Sequence, residues 1–133
     1  MEKNERALAY YSEQGFNCAQ SVLAAFCEET GLEEKTALSV AGGLGGGAAC
    51  GELCGAISGA VLALGMLYPH CIANDPETKT HTRAIAKEAC ERFRGDFGAL
   101  SCRELQSLHG GKGRCGEFIS RAAEIVSELS PEE

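Results

Sequence analysis

Eight cysteines are the side chains of this 133-residue chain best suited to chemistry. A thiolate can attack a disulfide or an oxidant, and thiolates also bind zinc and iron–sulfur clusters. Five cysteines are predicted where a helix begins or where a glycine-rich loop enters one: Cys18, Cys50, Cys54, Cys102 and Cys115. Unpaired backbone N–H groups and the helix dipole favour an anion at such positions, so we expect lowered thiol pKa values. Arg103 and Arg114, each next to a cysteine in sequence, could add positive potential.

The other three cysteines have a weaker claim to chemistry. Cys27 and Cys90 lie in apolar stripes at helical spacing and are interpreted as small buried hydrophobic residues. Cys71 follows His70 in a loop, but no further ligand lies nearby at metal-binding spacing. The sequence contains no Cys-x-x-Cys, so the thioredoxin-type redox motif is absent.

A series of helices must position these thiols. Apolar residues at helical spacing, with capping residues before them, predict helices over residues 6–13, 17–31, 33–40, 50–68, 76–98, 102–109 and 116–129. In the first of these, Tyr10 and Tyr11 are read as apolar positions. No segment shows the alternation typical of a strand. We therefore expect a single all-α domain over residues 1–133, with five to seven helices around a central Gly/Ala-rich helix.

The proposed central helix carries Gly51, Gly55 and Gly59 at intervals of four residues. Each interior glycine costs ~1 kcal/mol of helix propensity relative to alanine, so we expect another backbone to approach this face closely. Cys50 and Cys54 would share one face if the helix begins before Cys50. The apolar run is shorter than the ~20 residues that span a bilayer, so no membrane span is predicted.

Composition and charge limit the partners. A net charge of −7 argues against binding to nucleic acid, which needs clustered basic residues. Residues 1–6 are charged and are not followed by the apolar region of a secretory signal, so we expect a cytoplasmic protein whose thiols are kept reduced. A redox partner, a small molecule and a second copy of the chain remain open as partners.

Four short segments combine a cysteine with small or polar neighbours: Asn17-Cys18-Ala19-Gln20-Ser21-Val22, Cys54-Gly55-Ala56-Ile57-Ser58-Gly59, Cys102-Arg103-Glu104-Leu105 and Cys115. Together they resemble the C_GCAxxG_C_C family of redox-active proteins, and the resemblance spans almost the whole chain. It implies that Cys18, Cys54, Cys102 and Cys115 are the functional set. The remaining four cysteines are extras, although Cys50 could still resolve a disulfide or replace a ligand.

Three functions remain open at this point. The first is thiol–disulfide chemistry, as an oxidoreductase or electron carrier that needs no cofactor, with Cys54 paired to Cys18 or Cys50, and Cys102 paired to Cys115. The second is a zinc or iron–sulfur site held by the same four family cysteines. The third is a helical interaction protein whose cysteines are structural.

Overall fold

The computed structural model describes residues 1–131, apart from the side chain of Lys112. Within this range the chain forms α-helices, one π-helical turn (Gly47–Gly51) and one 3-10 turn (Lys112–Arg114). The helices are α1 (Lys3–Ser12), α2 (Cys18–Ala24), α3 (Cys27–Thr30), α4 (Glu34–Val40), α5 (Gly55–Leu67), α6 (Pro76–Phe97), α7 (Cys102–His109) and α8 (Cys115–Leu129). Because these residues contain no strand, the all-α prediction is confirmed. The predicted count of five to seven helices is too low, partly because the segment predicted over residues 17–31 divides at Phe26 into α2 and α3.

Local capping sets several helix boundaries as predicted. The Asn17 side chain accepts from the Gln20 N–H at 2.9 Å, and the Gln20 side chain accepts from the Asn17 N–H at 3.0 Å. This reciprocal capping box satisfies two backbone donors at the start of α2. Ser101 caps α7 by accepting from the Glu104 N–H at 3.1 Å. Helix α6 begins at Pro76 and ends before Gly98, whose left-handed φ of 87° suits glycine.

The start of α5 differs from the prediction. The helix begins at Gly55 rather than at Cys50, because the preceding π-helical turn contains left-handed backbone at Ala48 and Ala49 (φ 57° and 61°). A right-handed helix cannot pass through these residues. Cys50 and Cys54 therefore do not share a helix face.

Helix α5 packs against α2, α3, α6 and α8, while α1 packs against α2 and α8. Its glycines allow α2 to approach: a Cβ atom built at Gly59 would lie 2.6 Å from the Ala19 carbonyl oxygen, closer than any real contact. This agrees with the close backbone approach expected from the glycine spacing. None of the helices in residues 1–131 combines the length and the apolar character that crossing a membrane requires.

Candidate functional site

The four family cysteines all lie where helices begin. Cys18, Cys102 and Cys115 are the first residues of α2, α7 and α8, and Cys54 immediately precedes α5. Cys54 is buried, with 4% of its surface exposed, whereas the other three are partly buried. The helix starts thus place four thiols from remote parts of the sequence where they can meet.

A single antiparallel bridge between Leu53 and Ser101 holds two of these cysteines together. The Cys54 N–H donates to the Leu100 carbonyl at 2.8 Å, and the Cys102 N–H donates to the Glu52 carbonyl at 2.6 Å. Because neighbouring residues on a strand point to opposite faces, Cys54 and Cys102 lie on the same face of this bridge. The bridge therefore places their thiols as diagonal neighbours.

Close packing of α2 on α5 brings Cys18 to the same place. A Cβ atom built at Gly55 would lie 3.2 Å from the Cys18 Cβ atom and 3.1 Å from the Leu44 carbonyl oxygen. A side chain at position 55 would require α2 and the Leu44 carbonyl to shift by a few tenths of an ångström, because two of the three nearest atoms belong to the backbone. The glycine after Cys54 thus keeps Cys18 beside it.

Cys115 completes the cluster from the start of α8. Its thiol is hydrogen-bonded to that of Cys18 and to the hydroxyl of Tyr11, which lies on α1. Cys115 also lies close enough to Cys54 for its charge to act on that thiol. On the other side of the cluster, the Gln106 amide nitrogen donates to the Cys102 sulfur at 2.9 Å.

The prediction of lowered pKa values is wrong for Cys18 and Cys54. The hydrogen bond to Cys115, followed by burial and the charge of Cys54, raises the pKa of Cys18 well above its ordinary value. Burial raises the pKa of Cys54 to about 11, although the Ala56 and Ile57 N–H groups lower it in part. At both sites, burial and neighbouring thiols outweigh the favourable helix terminus.

The two arginines adjacent to family cysteines are engaged elsewhere. Arg103 donates to the Cys50 carbonyl oxygen at 2.9 Å. The Arg114 guanidinium contacts the Glu117 carboxylate, with Nε and Oε2 2.6 Å apart. Their charges are thus directed at a carbonyl and a carboxylate, which limits the positive potential expected from them at the thiols.

The other cysteines lie in different surroundings. Cys50 is exposed in the π-helical turn and Cys71 is exposed in the loop before α6. Cys27 and Cys90 are only partly buried, so the prediction that they fill the core is only partly confirmed. All eight cysteines lie within the described residues, and none forms a disulfide there.

The structure does not arrange the cysteines as a metal cage. In the part of the chain that the structure describes, no three His, Cys, Asp or Glu side chains are placed so that they could hold a metal ion. Cys18 is hydrogen-bonded to Cys115, and Cys54 lies near enough to Cys18, Cys102 and Cys115 for their charges to interact. Because no three donors converge among the described residues, the arrangement does not fit the four-cysteine zinc or iron–sulfur site.

Three components of the site were missed by sequence reasoning: Tyr11, Gln106 and the Leu53–Ser101 bridge. Tyr11 was read only as an apolar position, although a tyrosine on a core-facing stripe usually needs a partner for its hydroxyl. Gln106 follows Cys102 by four residues and so lies on the same face of α7. The bridge is a single residue pair, which is too short to give a strand pattern.

Comparison with known proteins gives one match, to a protein family. No curated protein and no solved structure matches the chain. Residues 16–129 match the family described as "Putative redox-active protein (C_GCAxxG_C_C)". This match covers most of the sequence and contains all eight cysteines. The chain therefore belongs to the C_GCAxxG_C_C family.

Proposed function

We propose that this protein carries out thiol–disulfide exchange through the cluster of Cys18, Cys54, Cys102 and Cys115. The observation that carries the proposal is the hydrogen bond between the Cys18 and Cys115 thiols, which come from opposite ends of the chain. Two thiols in contact are candidates to form a disulfide with each other. Cys54 and Cys102, held by the Leu53–Ser101 bridge, are a second candidate pair.

The reaction consumes one disulfide of a partner for each disulfide formed in the protein. One thiolate of the cluster attacks a sulfur of the partner disulfide, giving a mixed disulfide and one partner thiolate, which takes up a proton. The neighbouring thiol then loses its proton and attacks the mixed disulfide, releasing the second partner thiolate, which is protonated in turn. The dithiol has lost two electrons and two protons, and the partner disulfide has gained both.

The arrangement of donors in the described residues favours this function over a metal site, which needs at least three donors directed at one point. The contact between Cys18 and Cys115 favours it over a purely structural role, because structural cysteines need not contact one another. The partner we propose is a disulfide of a protein or a small molecule. The compartment we propose is a reducing one such as the cytoplasm, where the dithiol form can be regenerated.

The test is oxidation of the reduced, anaerobically purified protein with glutathione disulfide, followed by peptide mass spectrometry without reduction. We expect a reversible disulfide between Cys18 and Cys115, which the Cys18→Ser and Cys115→Ser variants lose. Cys71→Ser, which removes an exposed thiol from outside the cluster, is the control and should keep that disulfide.

Two outcomes would overturn the proposal. One is the absence of any reversible disulfide among the four family cysteines. The other is a metal or iron–sulfur cluster that stays bound in native mass spectrometry and disappears when those cysteines are replaced.

A further inference from the structure

We infer that Cys102 is the attacking cysteine of the Cys54–Cys102 pair and that Gln106 is a positioning residue that holds its sulfur and favours its thiolate. This inference rests on the proposed function, and it assigns different roles to two thiols that the family pattern treats alike. The observation that carries it is a directed contact: the Gln106 side-chain amide nitrogen lies 2.9 Å from the Cys102 sulfur and donates a hydrogen bond to it.

The position of this amide is set by the way α7 is anchored. Gln106 follows Cys102 by four residues, so both side chains lie on one face of the helix. Between them, Leu105 is buried in the core with 1% of its surface exposed. At the end of α7, the Nε2 atom of His109 donates to the Phe97 carbonyl oxygen at 2.7 Å. The helix that presents the amide to the sulfur is therefore fixed by both core packing and a tertiary hydrogen bond.

An amide N–H favours the anionic form of the sulfur that it contacts. A neutral thiol sulfur is only a weak acceptor, whereas a hydrogen bond to an ionised acceptor is about twice as strong as one between neutral groups. The Gln106 donor therefore stabilises a thiolate on Cys102 more than it stabilises the thiol. The amide does not titrate, so this preference does not depend on its own protonation.

The charged side chains next to Cys102 in α7 and across the bridge are engaged with other groups or exposed. Arg103 donates to a carbonyl oxygen of the π-helical turn at 2.9 Å, and the Glu104 carboxylate accepts from the capping hydroxyl of α7 at 3.0 Å. Glu52, whose carbonyl oxygen accepts from the Cys102 N–H, is exposed. The Gln106 amide thus supplies a directed donor where the adjacent arginine is turned away.

Exposure distinguishes the two thiols beside the Leu53–Ser101 bridge. Cys54 has 4% of its surface exposed, whereas Cys102 is only partly buried. The rate of thiol–disulfide exchange depends on access to the attacking sulfur, so a partner disulfide should meet Cys102 first. Cys54 is then left to act second, from inside the protein.

The exchange steps follow from these roles. The Cys102 thiolate attacks a sulfur of the partner disulfide, and a new S–S bond forms as the partner's S–S bond breaks. The departing partner thiolate takes a proton from solvent. Cys54, which the bridge holds as the diagonal neighbour of Cys102, then gives up its proton to solvent and attacks the Cys102 sulfur. This step forms the intramolecular disulfide and releases the second partner thiolate, which is protonated in turn.

The first test is the rate at which iodoacetamide alkylates Cys102 in the reduced protein, followed by peptide mass spectrometry. Gln106→Met keeps the length of the side chain and removes the donor. Loss of a hydrogen bond to an anion should lower the thiolate fraction of Cys102 at pH 7 about tenfold, while the remaining thiolate becomes about threefold more nucleophilic. The rate should therefore fall about threefold at pH 7 and rise about threefold at a pH high enough to ionise the thiol in both proteins. A purely structural role of Gln106 would not give this change of sign.

Two further variants on α7 complete this test. Gln106→Glu replaces the amide by a carboxylate of the same shape, whose charge should slow alkylation of Cys102 at pH 7 more than Gln106→Met does. Ser107→Ala is the matched control, because Ser107 is exposed and lies five residues after Cys102, about 140° away around the helix. It should leave the rate unchanged. Circular dichroism would confirm that the variants fold.

The second test identifies the attacking sulfur by trapping the mixed disulfide. After exposure of the reduced protein to glutathione disulfide, Cys54→Ser should carry glutathione on Cys102, since the second thiol is missing. Cys102→Ser should carry none on Cys54. Peptide mass spectrometry without reduction would locate the glutathione.

The absence of glutathione on Cys102 in Cys54→Ser would overturn the inference. An unchanged alkylation rate of Cys102 in folded Gln106→Met would do so too, as would the same change in Ser107→Ala.

These outcomes are separable from failure of the proposed function. If the wild-type protein still forms the reversible disulfide between Cys18 and Cys115, only the roles of Cys102 and Gln106 fail. If it forms no reversible disulfide among the four family cysteines, the proposed function itself fails.

Discussion

Replacement of Gly59 by alanine tests the packing that brings Cys18 beside Cys54. Gly59 lies in the middle of α5. A Cβ atom added there would lie 2.6 Å from the carbonyl oxygen and 3.1 Å from the Cα atom of Ala19, the residue that follows Cys18 in α2. Ordinary van der Waals contact begins at 3.4 Å, so α2 and α5 must separate locally by nearly 1 Å. Because the first obstacle is backbone, no rotation of a side chain can relieve it.

The expected change in unfolding free energy for Gly59→Ala is the sum of two opposing contributions. Alanine is favoured over glycine in a helix interior by ~1 kcal/mol, and overpacking of a well-packed core typically costs ~1–3 kcal/mol. We take the upper end of that cost because the clash is with a carbonyl group. The Gly59→Ala variant should therefore lose ~2 kcal/mol of unfolding free energy, which corresponds to a fall in Tm of roughly 8 °C for a domain of this size.

Gly65 supplies a matched control in the same helix. No atom lies within 4 Å of a Cβ atom built there, so Gly65→Ala gains the helix propensity without a clash and should stabilise the protein by ~1 kcal/mol. Urea unfolding of both variants under reducing conditions should therefore give changes of opposite sign, about 3 kcal/mol apart. Equal stability of the two variants would refute the close packing of α2 on α5, and with it the placement of Cys18 beside Cys54.

Three further predictions concern charge and protonation. Burial raises the pKa of Cys54 in the folded protein from 9.0 to about 11. The neutral thiol therefore contributes roughly 2–3 kcal/mol to the unfolding free energy below pH 9, and this contribution is lost as the pH rises through 11. Urea unfolding at pH 8–11 should show that loss in the wild type and less of it in Cys54→Ala, and parallel curves would contradict it. Arg121 joins α8 to Asp96 of α6 on a partly exposed surface, so Arg121→Met should cost roughly 1 kcal/mol at low salt and less at high salt; equal costs at both would rule out an ionic origin. The hydrogen bond to Cys115 is the largest cause of the raised pKa of Cys18, so Cys115→Ala should lower that pKa and accelerate peptide-level alkylation of Cys18 at pH 8 several-fold; an unchanged or slower rate would contradict that account.

Much of the fold could be predicted because its signals are local. The capping residues Asn17 and Ser101 and the first-turn Pro76 act within one helical turn of their own positions, so the sequence pattern contains what is needed to place α2, α7 and α6. The start of α5 could not be predicted in this way. It depends on left-handed backbone at Ala48 and Ala49, which is unusual for residues other than glycine.

The candidate site likewise combines features that local sequence signals predict with features that depend on tertiary packing. The selection of four cysteines came from motif resemblance, and their positions at helix beginnings came from local capping signals. Their neighbours depend on tertiary packing: Cys115 contacts Cys18 because α1, α2 and α8 meet at that point. The raised pKa values could not be foreseen either, because burial is a property of the assembled core.

Clustering the thiols has a consequence for the order in which they react under the proposed mechanism. A thiolate on either Cys18 or Cys115 raises the pKa of the other thiol through the hydrogen bond between them and through its charge, so the two thiols resist ionising together. Attack by one of the two thiolates on a disulfide converts it into a neutral sulfur and removes both effects. The other thiol then loses its proton more readily at the moment when its sulfur must attack the mixed disulfide. Contact between the two thiols thus delays ionisation of the second until the first has reacted, which a lone cysteine at a helix N-terminus could not do.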